Sequence, residues 1–558
     1  MWAPLAHEVE LVVEGLRFPM RREQGAWWTA EVALEPGARY GFSVNSGPIR
    51  PDPRSPSQPD GVEGLSQFWV PPPRLTSSWH GLEIGAGSIY ELHVGTFSNE
   101  GTFDGIVSHL DHLKRLGVAA IELMPVASYP GRWGWGYDGV DLFAPQAAYG
   151  GPDGLRRLIA ACHDAGIGVI LDVVYNHLGP SGNYLEYFGP YFTDAYRTPW
   201  GKALNFDREW SEGARELVID NAQMWFFDYD VDGLRLDALH AVYDFSAWHV
   251  IEELSERRAA WEEELGKRLW IFAEDDRNDW RVVAPRSAGG FGLDAVWSDD
   301  FHHALHAALT GETTHYYSDY QGTVALASAL KRGYVFEGQY SAFRRRRHGR
   351  PGAPPSPASL VCCIQNHDQV GNRPGGERLS HLVGPELAKV GAALLLSSPF
   401  IPLLFQGEEW AASSRFYYFC DHEAELGKAI SEARKHEALN WGAATYKDPQ
   451  DPATFEASRL RWDEADTSPH RQVALWYETL AQLRPVLLEL ASQEEASVSV
   501  EGSLLTLRRG RLFLVANFGD RPTKTKFPAD VLASSREPEG YPGGEVVIQE
   551  ASVLVGAE

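Results

Sequence analysis

The chain has 558 residues, 44% of them hydrophobic, which supplies a large core and points to two to four domains. Its formal charge of −26 disfavours nucleic acid, anionic membrane surfaces and polyanionic substrates, and suits a neutral ligand. No uninterrupted apolar run reaches the length of a membrane span, so a soluble chain with no membrane partner is expected.

The first residues, from Met1 to Leu5, carry neither a basic region nor an apolar stretch of the signal-peptide kind, and the chain reads as cytoplasmic. Cys162, Cys362, Cys363 and Cys420 show no metal-type spacing and fit a reducing compartment. The 19 tryptophans provide flat apolar faces of the kind that stack on sugar rings, although tryptophan serves equally well as core.

In chain order, residues 1–84 read as a small β-sandwich, with strands at Val9–Val13, Trp27–Val32 and Tyr40–Val44 between glycine and proline turns. Pro71–Pro73 makes a stiff linker. From Ser88 the pattern alternates strand and helix, which calls for a parallel sheet. Strands are expected at Ile89–Val94, Ala119–Met124, Val169–Val174, Leu234–Leu236, Leu269–Ala273, Ala295–Trp297, Leu360–Ile364 and Pro402–Phe405, with helices such as Gly105–Leu116 and Gly154–Ala165 between them. Eight such strands suggest a closed (β/α)8 TIM barrel, within a catalytic segment 85–490 that includes inserted loops and helices. Helix-forming composition continues from Asp421 to about Tyr446 and over Gln472–Arg484. Residues 491–558 turn to strands, among them Leu504–Leu507 and Leu512–Ala516, and are expected to form a C-terminal antiparallel β domain.

Barrel enzymes carry their chemistry at the C-terminal ends of the strands. Here the polar residues gather there: Asp172 and His177 after the third strand, Arg235 and Asp237 on the fourth, Glu274 after the fifth, and Gln365-Asn-His-Asp-Gln-Val-Gly-Asn-Arg373 after the seventh. Arg235 and Asp237 are two apart in a strand and so lie on one side of it, where a guanidinium keeps a carboxylate nucleophile charged. An isolated Arg-x-Asp triplet would be read as a structural pair. Four strand ends of one polarity together point to a functional site and not to scattered structural pairs.

These residues resemble the conserved regions of the α-amylase family of glycoside hydrolases over nearly the whole chain. The resemblance implies Asp237 as nucleophile, Glu274 as general acid/base and Asp368 as the carboxylate that grips the distorted sugar. It further implies Tyr137, Asp172, His177, Arg235 and His367 around that sugar, with His240, Gln369, Arg373 and Trp200 as further substrate-binding residues. A retaining mechanism needs Glu274 protonated while Asp237 is charged; the neighbouring Asp275 and Asp276 either raise the Glu274 pKa or point away. Longer strings, including Asp299-Asp-Phe-His-His-Ala304 and Phe405-Gln-Gly-Glu-Glu-Trp410, resemble trehalose-releasing members of the family. The implied substrate is maltooligosyl trehalose, with functional pairing to a maltooligosyl trehalose synthase. Trp200 and the Phe416–His422 string stand either in a product-side pocket or in packing.

The N-terminal module likewise resembles a carbohydrate-binding-like domain. No cofactor and no metal are expected, and His302 and His303 are read as structural or as hydrogen-bonding to substrate. A branching-type glycosyltransferase, or a general α-glucan hydrolase, is the alternative. A non-catalytic glucan-binding relative would have lost a carboxylate, and all three are present.

Overall fold

The computed structural model describes residues 1–73, 79–442, 446–491, 496–540 and 544–558. Its centre is a closed barrel of eight parallel strands: β1 (Ser88–Leu92), β2 (Val118–Leu123), β3 (Gly168–Val173), β4 (Gly233–Leu236), β5 (Trp270–Ala273), β6 (Ala295–Trp297), β7 (Leu360–Cys363) and β8 (Ile401–Phe405). β8 pairs with β1 through Leu403–Ile89, Leu404–Tyr90 and Phe405–Glu91, which closes the ring. All eight expected strands are present, with ends shifted by one or two residues. The first stops at Leu92 because Val94 opens a short helix, Val94–Phe97.

Side-chain parity fixes where the chemistry lies. Alternate strand positions fall into two separate apolar clusters. The inner one holds Ile89, Ala120, Ile170, Trp270, Phe272, Ala295, Trp297, Val361, Cys363, Ile401 and Leu403, closed at the base by Leu82 and Ile84. Their outward neighbours, such as Tyr90, Ile121, Leu171, Leu234, Leu236 and Ile271, join the core beneath the helices. Each fully buried Leu, Ile or Phe contributes about 1.5–3 kcal/mol. Gly233 is the inward residue at the start of β4; a Cβ there would lie 3.2 Å from Ile170 Cγ1 and Trp270 Cβ and 3.3 Å from the Phe272 ring, so neighbouring side chains already fill that space. Continuing the inward parity toward the C-terminal ends gives Glu91, Glu122, Asp172, Arg235, Asp237 and Glu274. The period-2 alternation that fills the barrel base with hydrocarbon therefore places these ionisable groups at its top.

The helix expected over Gly105–Leu116 is two helices, Phe103–Val107 and Leu110–Arg115, broken where His109 leaves helical geometry. Its expected glycine stop is present at Gly117, with φ +66°. Gly151–Ala165 likewise ends at Gly166, in the left-handed region. Leu379–Leu396 passes length and composition tests for a membrane span, but it is broken at Gly384 and Pro385 and its apolar residues Val390–Leu396 are buried against the last helix, His470–Ala491. It is a core helix of the barrel shell.

Before the barrel, Val9–Val13 sits between Leu16–Pro19 and Arg39–Val44 in a four-stranded antiparallel sheet that Ser66–Gln67 completes. The two-residue turn between the first two strands has φ > 0 at both Glu14 and Gly15, as a tight hairpin of this twist requires. Of the expected strand Trp27–Val32, Trp28–Thr29 pairs with Arg21–Arg22 and Trp27 bridges antiparallel to Trp2; residues 30–32 are not in a strand. The sheet leans on the barrel's loops through Phe42 against Phe188 and Trp2 against Tyr191. After the barrel, a helix spans Ala424–Asn440, shorter than the expected stretch, whose residues 443–445 lie outside those described. Leu504–Arg509 and Leu512–Asn517 form the middle of a five-stranded antiparallel sheet, beside a three-stranded one.

Candidate active site

A cavity of about 650 Å³ opens at the C-terminal end of the barrel. Asp237, Glu274, His367, Asp368, His177, His240, Tyr137 and Trp200 all line it. Beneath them lies Arg235, fully buried, whose fork organises the floor. Its Nη1 donates to Asp172 Oδ2 at 2.7 Å and to Asp237 Oδ1 at 3.0 Å, and its Nη2 donates to Glu274 Oε2 at 2.8 Å. The guanidinium carbon lies 4.3 Å from the centre of the Trp297 ring. Three carboxylates thus converge on one planar cation, a geometry only arginine supplies.

The chain turns sharply at Ala238, which has φ +39° in the left-handed region. This strained turn aims the Ala238 N–H at Glu274 Oε2, 2.9 Å away. Burial raises the Glu274 carboxyl above the usual range and the Asp237 charge adds to this, while Arg235 and the Ala238 amide offset part of it. The direction is what a general acid needs. Asp275 and Asp276 are not its cause: Asp275 is buried in a bidentate pair with Arg277, and Asp276 lies 3.8 Å from His240. Among the described residues His240, Asp275 and Asp276 bring ligand-type atoms within 4.8 Å of one another, but Asp275 already has its cation.

Asp237 Oδ2 accepts a 2.7 Å bond from Asn176 Nδ2, whose other acceptor is the Asp237 carbonyl. The Asn176 carbonyl oxygen meets His177 Nδ1, so this amide is fully engaged in orienting the nucleophile and its neighbour. Burial pushes the His177 imidazole down to about 4, leaving it neutral, and its ring stacks on Trp200 with centroids 4.2 Å apart and planes 8° off parallel. Trp200 is half exposed, so its outer face is open.

On the opposite side Tyr137 Oη donates to Asp172 Oδ2 at 2.7 Å and lies 2.8 Å from His367 Nε2. Burial pushes Asp172 up to about 7, with Arg235 opposing and Asp237 adding. His367 is set by a residue the sequence reading missed. Glu91, inward on β1, accepts from the His367 backbone N–H at 2.9 Å and from its Nδ1. Burial alone would lower this imidazole; the charges of Glu91 and Asp368 override it and raise it to about 9. Glu122 beside it, paired with Glu91 in register, is fully buried with both oxygens unpartnered; burial and the Glu91 charge push its carboxyl well above the usual range. Parity along β1 and β2 is the signal that would have found both.

Four expected binding residues are not among those lining the cavity: Asp172 and Arg235 form the ion pair beneath it, and Gln369 and Arg373 are engaged elsewhere. Gln369 Oε1 accepts from Tyr316 Oη at 3.2 Å, and Arg373 pairs with Glu312 at 2.9 Å. Of the Phe416–His422 string only Tyr418 reaches the cavity, while Phe416 and Phe419 are buried in packing with Trp135 and Phe405. His302 bonds to the Ile364 carbonyl and to Tyr317, and His303 stacks on Tyr316.

Comparison with known proteins accords with this geometry. The family described as alpha amylase, catalytic domain, matches residues 63–197. Over its full length the chain is 43% identical to the malto-oligosyltrehalose trehalohydrolase of Mycobacterium tuberculosis (strain ATCC 25618 / H37Rv), spanning 99% of that protein. The corresponding protein of Rhizobium sp. (strain M-11) is 44% identical over 95% of this chain and 92% of its own. The chain belongs to the malto-oligosyltrehalose trehalohydrolase family. In structure it is similar to a protein from Salmonella typhimurium, provisionally named an alpha amylase and solved at 1.4 Å, with a TM-score of 0.92 and 35% identity over 100% of this chain and 97% of that one. The trehalohydrolase family thus supplies the frame in which the Arg235 fork, Asp237, Glu274 and Asp368 are read.

Proposed function

We propose that this protein is a retaining glycoside hydrolase that cleaves the α-1,4-glucosidic bond next to the terminal trehalosyl unit of maltooligosyl trehalose, releasing trehalose and a maltooligosaccharide. The observation that carries the reading is the pair of carboxylates, Asp237 and Glu274, held by one buried guanidinium at the floor of a cavity large enough for several sugar rings. In the first step an Asp237 oxygen attacks the anomeric carbon while Glu274 gives its proton to the departing glycosidic oxygen. In the second, Glu274, now a carboxylate, takes a proton from water as that water displaces Asp237. Asp368 holds the ring hydroxyls of the distorted sugar, and Tyr137 packs under it. The −26 charge favours such a neutral substrate. The four free cysteines, all buried, support a cytoplasmic setting, and a maltooligosyl trehalose synthase is the functional partner we infer.

Product analysis tests this. Incubation with maltotriosyl trehalose should release trehalose rapidly, with little cleavage of maltopentaose and none of either by Glu274→Gln. Comparable cleavage of both would make the protein a general α-glucan hydrolase, and longer or branched products would make it a transferase. Trp200→Ala should raise KM for maltotriosyl trehalose by about tenfold, the scale of one lost aromatic stack, and leave maltopentaose turnover nearly unchanged. An equal loss on both substrates would remove Trp200 from the trehalose end.

A further inference from the structure

The Asp368 carboxylate is the least enclosed of the three, with its side chain 42% exposed. Two groups address it: His367 Nε2 at 3.5 Å, and Asn372 Nδ2, which donates to Asp368 Oδ1 at 3.0 Å. Asn372 lies four residues on, at the C-terminal end of the short helix His367–Gly371. Its amide can present either nitrogen or oxygen to Asp368, and only the nitrogen attracts a carboxylate. What fixes the choice is Arg434, whose Nη1 donates to Asn372 Oδ1 at 2.8 Å. Arg434 belongs to the helix Ala424–Asn440, where Leu426, Ile430 and Arg434 recur every fourth residue and line the cavity as one stripe. The guanidinium is itself held, 3.9 Å from the centre of the Tyr418 ring and 2.9 Å from Glu437.

We propose that Arg434 is a positioning residue for the reaction, acting through Asn372 to orient Asp368. The cation pins the amide oxygen, so the amide nitrogen is left facing Asp368. Without it the amide is free to turn, and the carboxylate meets an oxygen instead of a donor. This inference rests on the role given to Asp368 in the proposed function, in which the carboxylate grips the sugar most strongly once the ring is distorted. Its loss therefore falls on kcat more than on KM.

The test uses the full chain and initial rates on both maltotriosyl trehalose and maltopentaose. Arg434→Ala should lower kcat by about tenfold or more with KM changed less than about threefold, and Arg434→Lys should recover most of the rate. Glu437→Gln, which removes the neighbouring charge but keeps a side-chain oxygen that can accept from Arg434 Nη1, should stay within about twofold of the parent. Arg434→Ala combined with Asn372→Ala should be no slower than Asn372→Ala alone, because the two act in series. Independent, multiplying losses in the double variant would overturn the proposal, as would a rise in KM at constant kcat, which would make Arg434 a simple sugar contact. These comparisons are made on whichever substrate the parent turns over. A protein that prefers maltopentaose therefore defeats the trehalose reading and leaves the relay standing, whereas an unimpaired Arg434→Ala defeats the relay alone.

Discussion

Asp237→Asn should reduce turnover by on the order of 10⁴-fold or more, equivalent to roughly 5 kcal/mol of lost transition-state stabilisation, while the protein folds as before. The substitution keeps the volume and leaves an amide oxygen able to accept from Arg235 Nη1 or from Asn176 Nδ2, which reach the two carboxylate oxygens at 3.0 and 2.7 Å. It cannot satisfy both, since one end of the amide is now a donor facing a donor. That misfit costs about 1–3 kcal/mol of stability, small beside the loss of the carboxylate proposed to attack. Burst kinetics on an activated glucoside would separate the steps. The parent should show a glycosyl-enzyme phase and the variant none. Activity within tenfold of the parent would mean that another carboxylate attacks.

The same residues show how far the amino-acid pattern reaches. Inward parity made Arg235 and Asp237 neighbours before any coordinates were available, because a two-residue step in a strand has one geometric outcome, and the strand ends located Asp172, Glu274 and His367 in the same way. Glu91 and Glu122 obey the identical parity, yet they sit within otherwise apolar strands. What marks them out is non-local: Glu91 bonds to His367, and Glu122 is the register partner of Glu91 on the next strand, over sequence separations that no local pattern encodes. Gln369 and Arg373 are the opposite case. They lie in the most recognisable string of the chain, but their polar atoms engage Tyr316 and Glu312, contacts that membership of the string does not encode. The break at His109 and the short strand Trp28–Thr29 are likewise tertiary outcomes, decided by which partners are in reach.

Arg235→Leu is expected to be the most damaging single change for the fold of the site. It leaves Asp172, Asp237 and Glu274 close together with no cation among them, in a place where the side chains of Asp172 and Asp237 are 1% and 10% exposed. Breaking a buried ion pair by removing one partner costs about 3–5 kcal/mol, because the remaining charge is uncompensated. The cost should depend on pH with a definite sign. Asp172 already binds its proton more tightly in the folded protein, at about 7, than the 3.8 of the free side chain, and Glu274 is raised too. In that window the folded state holds more protons than the unfolded one, so stability falls as pH rises through it. Arg235 opposes both shifts; without it they grow, and the fall becomes steeper. Urea unfolding should therefore show a larger penalty for Arg235→Leu at about pH 7.5 than at about pH 5, where the carboxyls can neutralise themselves. A penalty independent of pH would assign the residue's contribution to packing against Trp297 instead, and Arg235→Lys, which loses the planar group, should then be no more stable than Arg235→Leu. With the electrostatic account, Lys recovers part of the stability and little of the rate, since one ammonium cannot hold Asp237 and Glu274 in their separate places at once.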